Sequence, residues 1–270
     1  MNIPAKRRLR CAALASLALT AGLLGSACSS SGGPEAIADT RPAAATSTSV
    51  PSPDQGPTTT QAASSPTRST APTAVVRADH DLTAFERPDA TSPQRTLSGA
   101  TEFGSALALL VTSQNEPGWV QVLVPGRPTG ATAWLPLDGA SFELRTITTH
   151  LQVDLAARTL TLFDNGEVVL STPVAIGSPD APTPTGVFSV TDKLQDPSPN
   201  GAYGPFALGL SGRSEVLTDF AGGDGQIGIH GTNDPSSIGQ DVSHGCIRVP
   251  NDVIIQLNDL LPLGTPVVVR

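Results

Sequence analysis

Cysteine is scarce in this 270-residue chain, and the positions of its three cysteines limit what they can do. Cys11 and Cys28 lie in the first 28 residues, which leaves Cys246 alone in the rest of the chain. A scaffold held together by several disulfides is therefore excluded, because such scaffolds need many paired cysteines. If Cys11 is removed and Cys28 is modified, Cys246 is an unpaired thiol in an exported protein, which indicates a reactive cysteine.

Aromatic and basic residues are also few. Aromatics make up 4% of the chain, whereas Gly (26) and Pro (25) are abundant. This balance favours β-structure with many turns and some disordered chain. Lys and Arg number 16 against 24 Asp and Glu, and an acidic chain is not expected to bind nucleic acid, because phosphates attract positive charge. The length allows two domains.

The first 28 residues are expected to form an export signal. A basic start with Lys6 and three arginines precedes the uncharged apolar run 11–24, which is too short to span a membrane comfortably. The small residues 25–27 then precede Cys28, as in a secretory cleavage region. This junction resembles a bacterial lipoprotein processing box, except that Gly25 stands where Leu is usual. An ordinary signal-peptidase site is the alternative.

The lipoprotein resemblance implies that Cys28 carries lipid. Two acyl chains plus an amide-linked third would anchor the exported protein stably at the outer face of the cytoplasmic membrane, facing the cell wall. Residues 29–73 are rich in Ser, Thr, Pro and Ala and lack aromatic residues, which predicts a disordered tether. As a flexible coil this tether would span about 40 Å, and as an extended chain up to about 140 Å.

A second ordered region is predicted over residues 74–142. Strands are expected at 82–85, 106–111, 119–124 and 131–135, because these short segments are bounded by Gly, Pro, Asn or Asp. Several short strands in a region of this size imply a small barrel. The Gly-Trp-Val-Gln-Val segment and the later Trp-Leu pair resemble bacterial SH3-like modules, which bind wall peptide or pack on a neighbouring domain. Trp119 and Trp134 are expected in the core of this barrel.

Residues 147–270 predict a β-sandwich with one short helix. Period-two alternation and apolar runs predict strands at 150–155, 159–163, 168–170, 174–177, 186–190, 206–210, 227–230, 246–249 and 265–270. Asp164-Asn165-Gly166 is typical of a hairpin turn. Residues 178–184 and 192–204 are expected to be loops.

The single helix is predicted over residues 253–261. Asn251 or Asp252 is expected to cap its start, and Gly264 to end it. The apolar stripe expected to face the core consists of Val253, Ile254, Leu257, Leu260 and Leu261.

Candidate catalytic or metal-binding residues are concentrated in residues 228–251, which contain Cys246 and two of the four histidines. Glycines follow both His230 and His244, so the backbone there can approach a substrate closely. Three interpretations compete on residue types and spacing alone. The cysteine is a nucleophile with a histidine base, it joins both histidines in a zinc site, or it is an inert buried side chain.

Catalysis would require an imidazole beside the thiol. Free cysteine has a pKa of about 8.5, and an imidazole that takes its proton holds the ion pair and lowers that pKa. No obvious acid stands beside His230 in the sequence, so we expect the backbone carbonyl near Gly231 to fix its tautomer. Amides around Gly245 and Cys246 would donate to an oxyanion.

Three segments together closely resemble the signature of YkuD-type bacterial L,D-transpeptidases, cysteine enzymes of peptidoglycan cross-linking. They are Ile-His-Gly-Thr at 229–232, Ser-His-Gly-Cys-Ile-Arg at 243–248, and Asn251. Further segments that resemble the family are Thr-Pro-Thr-Gly at 183–186 and Tyr-Gly-Pro-Phe at 203–206. The resemblance covers roughly residues 147–270.

The resemblance implies a role for each matching residue. Cys246 is the nucleophile, His230 is its general base, and the Gly231 carbonyl orients that base. His244 shapes the site. The residues expected to bind substrate are Tyr203, Ser243, Gly245, Arg248 and Asn251, with Arg248 placed to hold a carboxylate.

The implied reaction is acyl transfer without a cofactor or metal. Cys246 attacks the third residue of a tetrapeptide stem, the terminal D-alanine leaves, and an amine of a second stem resolves the thioester into a cross-link. The implied partners are peptidoglycan stem peptides and, as inhibitors, carbapenem-type β-lactams. The alternatives are a papain-like murein endopeptidase, in which the cysteine precedes its histidine, and a non-enzymatic wall-binding or zinc-binding module.

Overall fold

The computed structural model describes residues 72–196, 198–219 and 223–270. The predicted export signal, Cys28 and the predicted tether up to residue 71 lie outside the described residues. Thr73, the last residue of the predicted tether, begins the first strand. Within the described ranges, no helix is long and apolar enough to cross a membrane.

The first sheet contains seven antiparallel strands. They are β1 (Thr73–Ala78), β2 (Leu82–Phe85), β3 (Gln94–Leu97), β4 (Leu107–Ser113), β5 (Trp119–Leu123), β6 (Thr132–Pro136) and β7 (Glu143–Ile147). Their order across the sheet is β3-β2-β6-β5-β4-β1-β7. One face carries the apolar core, to which Val76, Leu109, Val120, Val122 and Leu135 contribute.

Sequence alternation predicts four of these seven strands, β2, β4, β5 and β6. The strands β3 and β7 were not predicted. Both lie at sheet edges and expose most of their side chains, so their sequences show no apolar face. The strand β1 buries Val75 and Val76 in succession, which breaks the alternation. The SH3-like fold of this region stays a prediction.

Trp119 and Trp134 do not lie in the core of the first sheet, so that expectation was wrong. Val120 and Leu135 take the core positions, and the period of two turns the tryptophans to the opposite face, where both are half-buried. There Phe85 packs edge-on against Trp119, with ring centroids 5.3 Å apart.

The second sheet contains eight strands. They are β8 (Thr149–Asp154), β9 (Thr159–Asp164), β10 (Glu167–Pro173), β12 (Gly186–Gln195), β13 (Phe206–Arg213), β14 (Gln226–His230), β16 (Ile247–Arg248) and β17 (Pro266–Val269). Their order is β10-β9-β8-β17-β12-β13-β14-β16. The short strands β11 (Ile176–Gly177) and β15 (Asp241–Ser243) pair separately in parallel.

The strand β12 links two layers of this second region. Residues 186–189 pair with β17, and the pairing with β13 carries a bulge between Val190 and Asp192. The strands thereby surround one apolar cluster, to which Leu151, Leu208 and Ile247 contribute. The predicted mostly β class, with a sandwich and a single α-helix among the described residues, is confirmed, and a short 3-10 helix is added at Pro235–Ser237.

Two connections test the turn predictions. The β9–β10 hairpin is confirmed: Asn165 and Gly166 both have positive φ, as a two-residue hairpin turn of this twist requires. The loop predicted over 192–204 was wrong at its start, because β12 continues to Gln195. Asp192 is buried inside this strand, where Thr101 and Thr191 donate hydrogen bonds to its carboxylate, so its charge does not mark a loop.

The helix α1 spans Asn251–Leu260. The cap expected from Asn251 or Asp252 was wrong, because the capping position is Pro250, and no side chain caps the helix. Asn251 is the first helical residue instead. Its side-chain oxygen accepts a hydrogen bond from the Thr232 amide at 2.8 Å.

The other end of α1 also differs from the expectation. The helix ends at Leu260, because Leu261 adopts an extended conformation, and Gly264 lies beyond the helix rather than at its end. Leu260 is 48% exposed and so does not belong to the predicted stripe. The remaining four stripe residues are buried: Val253, Ile254, Leu257 and Leu261.

Candidate active site

Two neighbouring strands carry the predicted site. The strand β14 ends at His230, and β16 begins directly after Cys246. They pair in parallel, with Ile229 opposite Ile247 and His230 opposite Arg248. Because both isoleucines are fully buried in the core, alternation turns the side chains of His230, Cys246 and Arg248 to the other face.

The His230 ring is fixed by its own backbone. Nδ1 donates to the Gly231 carbonyl over 2.6 Å, which leaves Nε2 of the neutral ring as the basic nitrogen. His230 is only 5% exposed. Burial lowers the pKa of His230 to about 4, against the opposing hydrogen bond to Gly231, and the Arg248 charge lowers it further. The imidazole is therefore neutral near pH 7 and can accept a proton.

The Gly231 carbonyl is held by close packing around Asn251. The Asn251 side-chain oxygen receives the Thr232 amide, and it also lies against both Gly231 and Gly204. A Cβ atom on either glycine would overlap this oxygen. Gly204 also has φ +64°, a conformation that favours glycine. The missing side chains are therefore what allows three chain segments to meet beneath His230.

The Cys246 thiol is partly exposed, and Sγ donates to the Gln226 carbonyl at 4.0 Å. Burial raises the pKa of Cys246, while the Gly228 amide and the positive charge of Arg248 act in the opposite direction. Because the thiol pKa is raised and the His230 pKa is lowered, both groups are neutral at rest. The lowered thiol pKa expected from the sequence was therefore wrong for the resting protein.

The turn before Cys246 is tied together by Ser243. The buried Ser243 hydroxyl donates to the Cys246 carbonyl at 2.5 Å and accepts from the Gly245 amide at 3.1 Å. Gly245 has φ +110°, and its Cα faces Ile227 and the carbonyl of Pro182, where a side chain would be crowded. Ser243 therefore shapes the turn, and the Gly245 amide already has an acceptor.

Tyr203 packs against the His230 ring. Its ring lies 4.8 Å from the His230 ring, centroid to centroid, at an interplanar angle of 62°. Tyr203 is 43% exposed. Burial raises the pKa of the Tyr203 phenol, and the negative charges of the Cys246 thiolate and Asp196 raise it further. The Tyr203 ring therefore packs directly against the imidazole of the site.

The remaining predicted residues flank this site. The Arg248 backbone exchanges two hydrogen bonds with Ala175, while its Nε is buried and lacks a hydrogen-bond partner among the described residues. His244 is exposed, two residues before the cysteine. The structure thus brings together His230, Gly231, Asn251, Tyr203, Cys246 and Arg248, and it leaves His244 at the surface.

Sequence reasoning missed Gln226 and Thr232. Gln226 contributes a backbone carbonyl, and Thr232 contributes a backbone amide. Since every residue carries these groups, no side-chain pattern could have identified them. Gly204 was findable, because it lies in the Tyr-Gly-Pro-Phe segment that resembles the family.

The same geometry bears on the zinc interpretation. Across the described part of the chain, no three side chains of His, Cys, Asp or Glu are grouped closely enough to hold a metal ion. The nitrogen of His230 nearest the backbone is used by Gly231. The grouping of His230, His244 and Cys246 around one ion therefore receives no support from the structure.

The arrangement is suited to acyl transfer. The thiol directly before β16 is turned to the same side as a neutral imidazole whose Nδ1 is occupied by the Gly231 carbonyl, and the charge of Arg248 acts on both groups. The fold and the site therefore define a class, a mostly β protein with a cysteine–histidine pair arranged for acyl transfer.

Comparison with known proteins narrows this class to a family. Residues 148–269 match the YkuD family, the L,D-transpeptidase catalytic domain. A Bacillus subtilis protein, provisionally assigned as the L,D-transpeptidase YkuD, is 39% identical over 125 residues, which are 46% of this chain and 68% of that protein. The chain belongs to the YkuD family of L,D-transpeptidases.

Two further relatives are more distant. L,D-transpeptidase 1 of Mycobacterium tuberculosis is 28% identical over 117 residues, and the match spans 42% of this chain and 47% of that protein. The NMR structure of the catalytic domain from the E. faecium L,D-transpeptidase is 29% identical, with a TM-score of 0.34, over 45% of this chain and 96% of that domain. The first sheet lies outside the family match, which begins at residue 148.

Proposed function

We propose that this protein is an L,D-transpeptidase that cross-links peptidoglycan stem peptides through a thioester on Cys246. The observation that carries the proposal is the shared face of β14 and β16. It supports placing the Cys246 thiol on the same face as a neutral imidazole whose tautomer the Gly231 carbonyl fixes. Family membership supplies the substrate class, a tetrapeptide stem that ends in D-alanine.

The neutral resting pair sets the order of proton transfers. As Sγ attacks the carbonyl carbon of the third stem residue, its proton passes to Nε2 of His230, and the carbon–sulfur bond forms. The carbon–nitrogen bond to D-alanine then breaks, and the imidazolium returns the proton to the leaving amine. In the second half, an amine of another stem loses a proton to His230, attacks the thioester and releases the thiol.

The negative oxygen formed during attack needs a donor. The Gly245 amide donates to Ser243, so the Cys246 amide is the better candidate of the two amides expected from the sequence. The buried, unpartnered Nε of Arg248 supports its proposed role as the group that binds a substrate carboxylate. Tyr203, half-exposed over His230, lines the same cleft.

The decisive experiment uses the purified full-length chain and a disaccharide tetrapeptide. We expect mass spectrometry to show loss of D-alanine and formation of a cross-linked dimer. The Cys246→Ala variant should form neither product. The His80→Gln variant, which changes an exposed histidine of the first sheet, should retain both activities. Products from Cys246→Ala at the wild-type rate would overturn the proposal.

A carbapenem provides a second readout at the same thiol. We expect intact-mass spectrometry to show one drug molecule covalently bound to the wild-type protein and none to Cys246→Ala. Absence of an adduct on a folded wild-type protein would contradict the proposed acyl-enzyme chemistry, whether or not the stem peptide reacts.

We further propose that the protein is exported and anchored by lipid on Cys28. The basic start, the apolar run and the small residues before Cys28 support this location. Mass spectrometry of the mature N-terminal peptide, made in a bacterial host, should find acylated Cys28. The Cys28→Ala variant should lose the modification and leave the membrane fraction. An unmodified N-terminus at another residue would contradict the anchor.

A further inference from the structure

One turn of the first region packs against the region that carries the thiol. The turn 126–129, between β5 and β6, lies against the end of β13 in the second sheet. The Gly126 amide donates to the Ser211 carbonyl at 3.0 Å. The Thr129 hydroxyl accepts from the Arg213 amide at 3.1 Å and donates to the Arg213 carbonyl at 3.2 Å. The turn is thus joined to β13 by one backbone hydrogen bond and two hydrogen bonds of the Thr129 hydroxyl.

Arg127 extends this contact beyond β13. One terminal nitrogen of its guanidinium donates to the carbonyls of Ser214, Leu217 and Asp224, at 2.8, 3.2 and 3.0 Å. Ser214 leaves β13, and Asp224 stands two residues before β14. A single side chain of the first sheet therefore joins the departing and the returning ends of the β13–β14 connection.

The two ends of the connection are also bonded to each other. The Ser214 amide donates to the Gly225 carbonyl at 2.8 Å, and Arg213 Nε binds Asp224 at 2.6 Å. Gly225 has φ +77°, and a Cβ there would overlap the Leu217 carbonyl and approach the Arg127 nitrogen. The Arg127 guanidinium therefore lies close to Gly225, the residue that leads into β14.

The next residue, Gln226, is the one whose carbonyl accepts the Cys246 thiol. Its side chain is also fixed, because Nε2 donates to the Leu210 carbonyl at 3.0 Å and to the Thr191 hydroxyl at 3.1 Å. Thr191 in turn donates to buried Asp192, which accepts a second hydrogen bond from Thr101 of the first sheet at 2.5 Å. Two contacts from the first sheet therefore converge on Gln226.

We propose that Arg127 is a positioning residue for Cys246, holding both ends of the β13–β14 connection so that the Gln226 carbonyl stays in contact with the thiol. The proposal rests on the proposed role of Cys246 as nucleophile. Arg127 touches neither the thiol nor the imidazole, so it acts through Gln226. All three carbonyls are bound by one terminal nitrogen, so lysine keeps a donor and the charge but loses the fixed planar geometry that places this nitrogen.

The test compares Arg127→Ala and Arg127→Lys with Arg145→Ala in the full-length chain. Arg145 is a matched control, because it is an exposed arginine of the first sheet whose partner is Glu143 of the same strand, at 2.8 Å. Arg127 is also exposed, so its replacement opens no core. Two rates are measured, alkylation of Cys246 by iodoacetamide across pH 5–10, and acylation by a carbapenem, separated into binding and reaction.

The two rates are expected to change in opposite directions in Arg127→Ala. Loss of the Gln226 acceptor stabilises the thiol less, so the alkylation profile should move to lower pH, with about threefold faster alkylation at pH 7. The displaced thiol should be acylated about tenfold more slowly, with binding of the drug within twofold of wild type. Arg127→Lys should lie between, and Arg145→Ala should match the wild type.

A role confined to stability would lower the melting temperature of Arg127→Ala and leave both rates within twofold of wild type, which would overturn the proposal. If Arg127→Ala does not fold, Arg127→Lys and Thr129→Val replace it. Shifts in the same two directions then support the proposal, and unchanged rates overturn it. If a carbapenem never acylates the wild type but the alkylation profile still depends on Arg127, the proposed function fails and the positioning role stands.

Discussion

The two ends of β14 are held by different parts of the molecule. At the His230 end, the contacts come from close neighbours in the catalytic region, where Asn251 fixes Thr232 and the Gly231 carbonyl fixes the ring. At the Gln226 end, contacts with Leu210 and Thr191 of the same region are supported by Arg127 and Thr101, which lie in connections of the first sheet. One strand thus connects a locally built base to a thiol acceptor that depends on a distant part of the chain.

This difference predicts which substitutions should reduce the reaction rates most. The His230 end supplies the group that moves a proton, so its loss should remove the chemistry. The Gln226 end supplies only the position of an acceptor, so its loss should change rates without abolishing them. The following predictions test that division, beginning with the largest expected effect.

Replacement of the base should have the largest effect. Glutamine in His230→Gln cannot accept the thiol proton, so carbapenem acylation and D-alanine release should fall about 10²–10⁴-fold. The exposed control His80→Gln should leave both rates unchanged. An acylation rate for His230→Gln within fivefold of wild type would show that another group takes the proton.

The pH dependence of stability should also report on the His230 end. The folded-state pKa of about 4 lies below the model-peptide value of 6.5, so the unfolded chain binds this proton first as the pH falls. The contribution of His230 is therefore fully present above pH 6.5, is lost progressively as the pH falls towards 4, and amounts to about 3 kcal/mol.

Urea unfolding of wild type and His230→Gln at pH 7 and pH 4 measures this contribution. The wild type should lose about 3 kcal/mol more than the variant between the two pH values. Equal losses in both proteins would mean that His230 titrates normally and is not isolated from water.

A methyl group beneath the base should have a smaller effect. The new Cβ in Gly231→Ala overlaps the Asn251 oxygen, so the carbonyl that orients His230 must shift. We expect about a tenfold slower acylation by a carbapenem. The double variant Gly231→Ala with Asn251→Ala should lose less than the product of the two single losses, because the overlap is relieved. A simple product would place the two residues in independent roles.

The smallest effect is expected from Thr101→Val at the opposite end. Asp192 loses one donor but keeps the Thr191 hydroxyl, so unfolding should cost about 1–2 kcal/mol less. Acylation should change less than threefold, because Arg127 still holds the connection to β14. A tenfold loss of rate would mean that the Thr101 contact, rather than Arg127, positions Gln226.

The sequence predicts the second region of the fold better than the first. The strand β9 alternates because one face is more deeply buried than the other, and that contrast is visible in the residue types. The strand β8 alternates in residue type although both of its faces are buried. The edge strands β3 and β7 expose nearly all their side chains and leave no such contrast. The core position expected for Trp119 was wrong for a related reason, because large apolar residues also occupy the outer faces of sheets.

The features of the candidate site also divide into those that the sequence predicts and those that it does not. His230, Cys246 and Gly231 can be identified from the sequence, because a thiol, an imidazole and adjacent glycines are rare in this chain and occur together. The protonation state of the cysteine and the histidine cannot be predicted from the sequence, because burial determines it. Burial depends on residues such as Tyr203, which lie far away in the chain and are brought to the ring by folding.

By itself, the sequence determined the chemical groups of this protein, its mostly β class and its family, because those follow from residue types and their spacing. Only the tertiary structure decided that the thiol and the imidazole rest uncharged and that Arg127 of the first sheet holds the connection next to Gln226. These properties arise from backbone carbonyls and from exclusion of water. Side-chain identity predicts neither of them. Every residue carries a backbone carbonyl, and only packing determines which carbonyls have a hydrogen-bond partner.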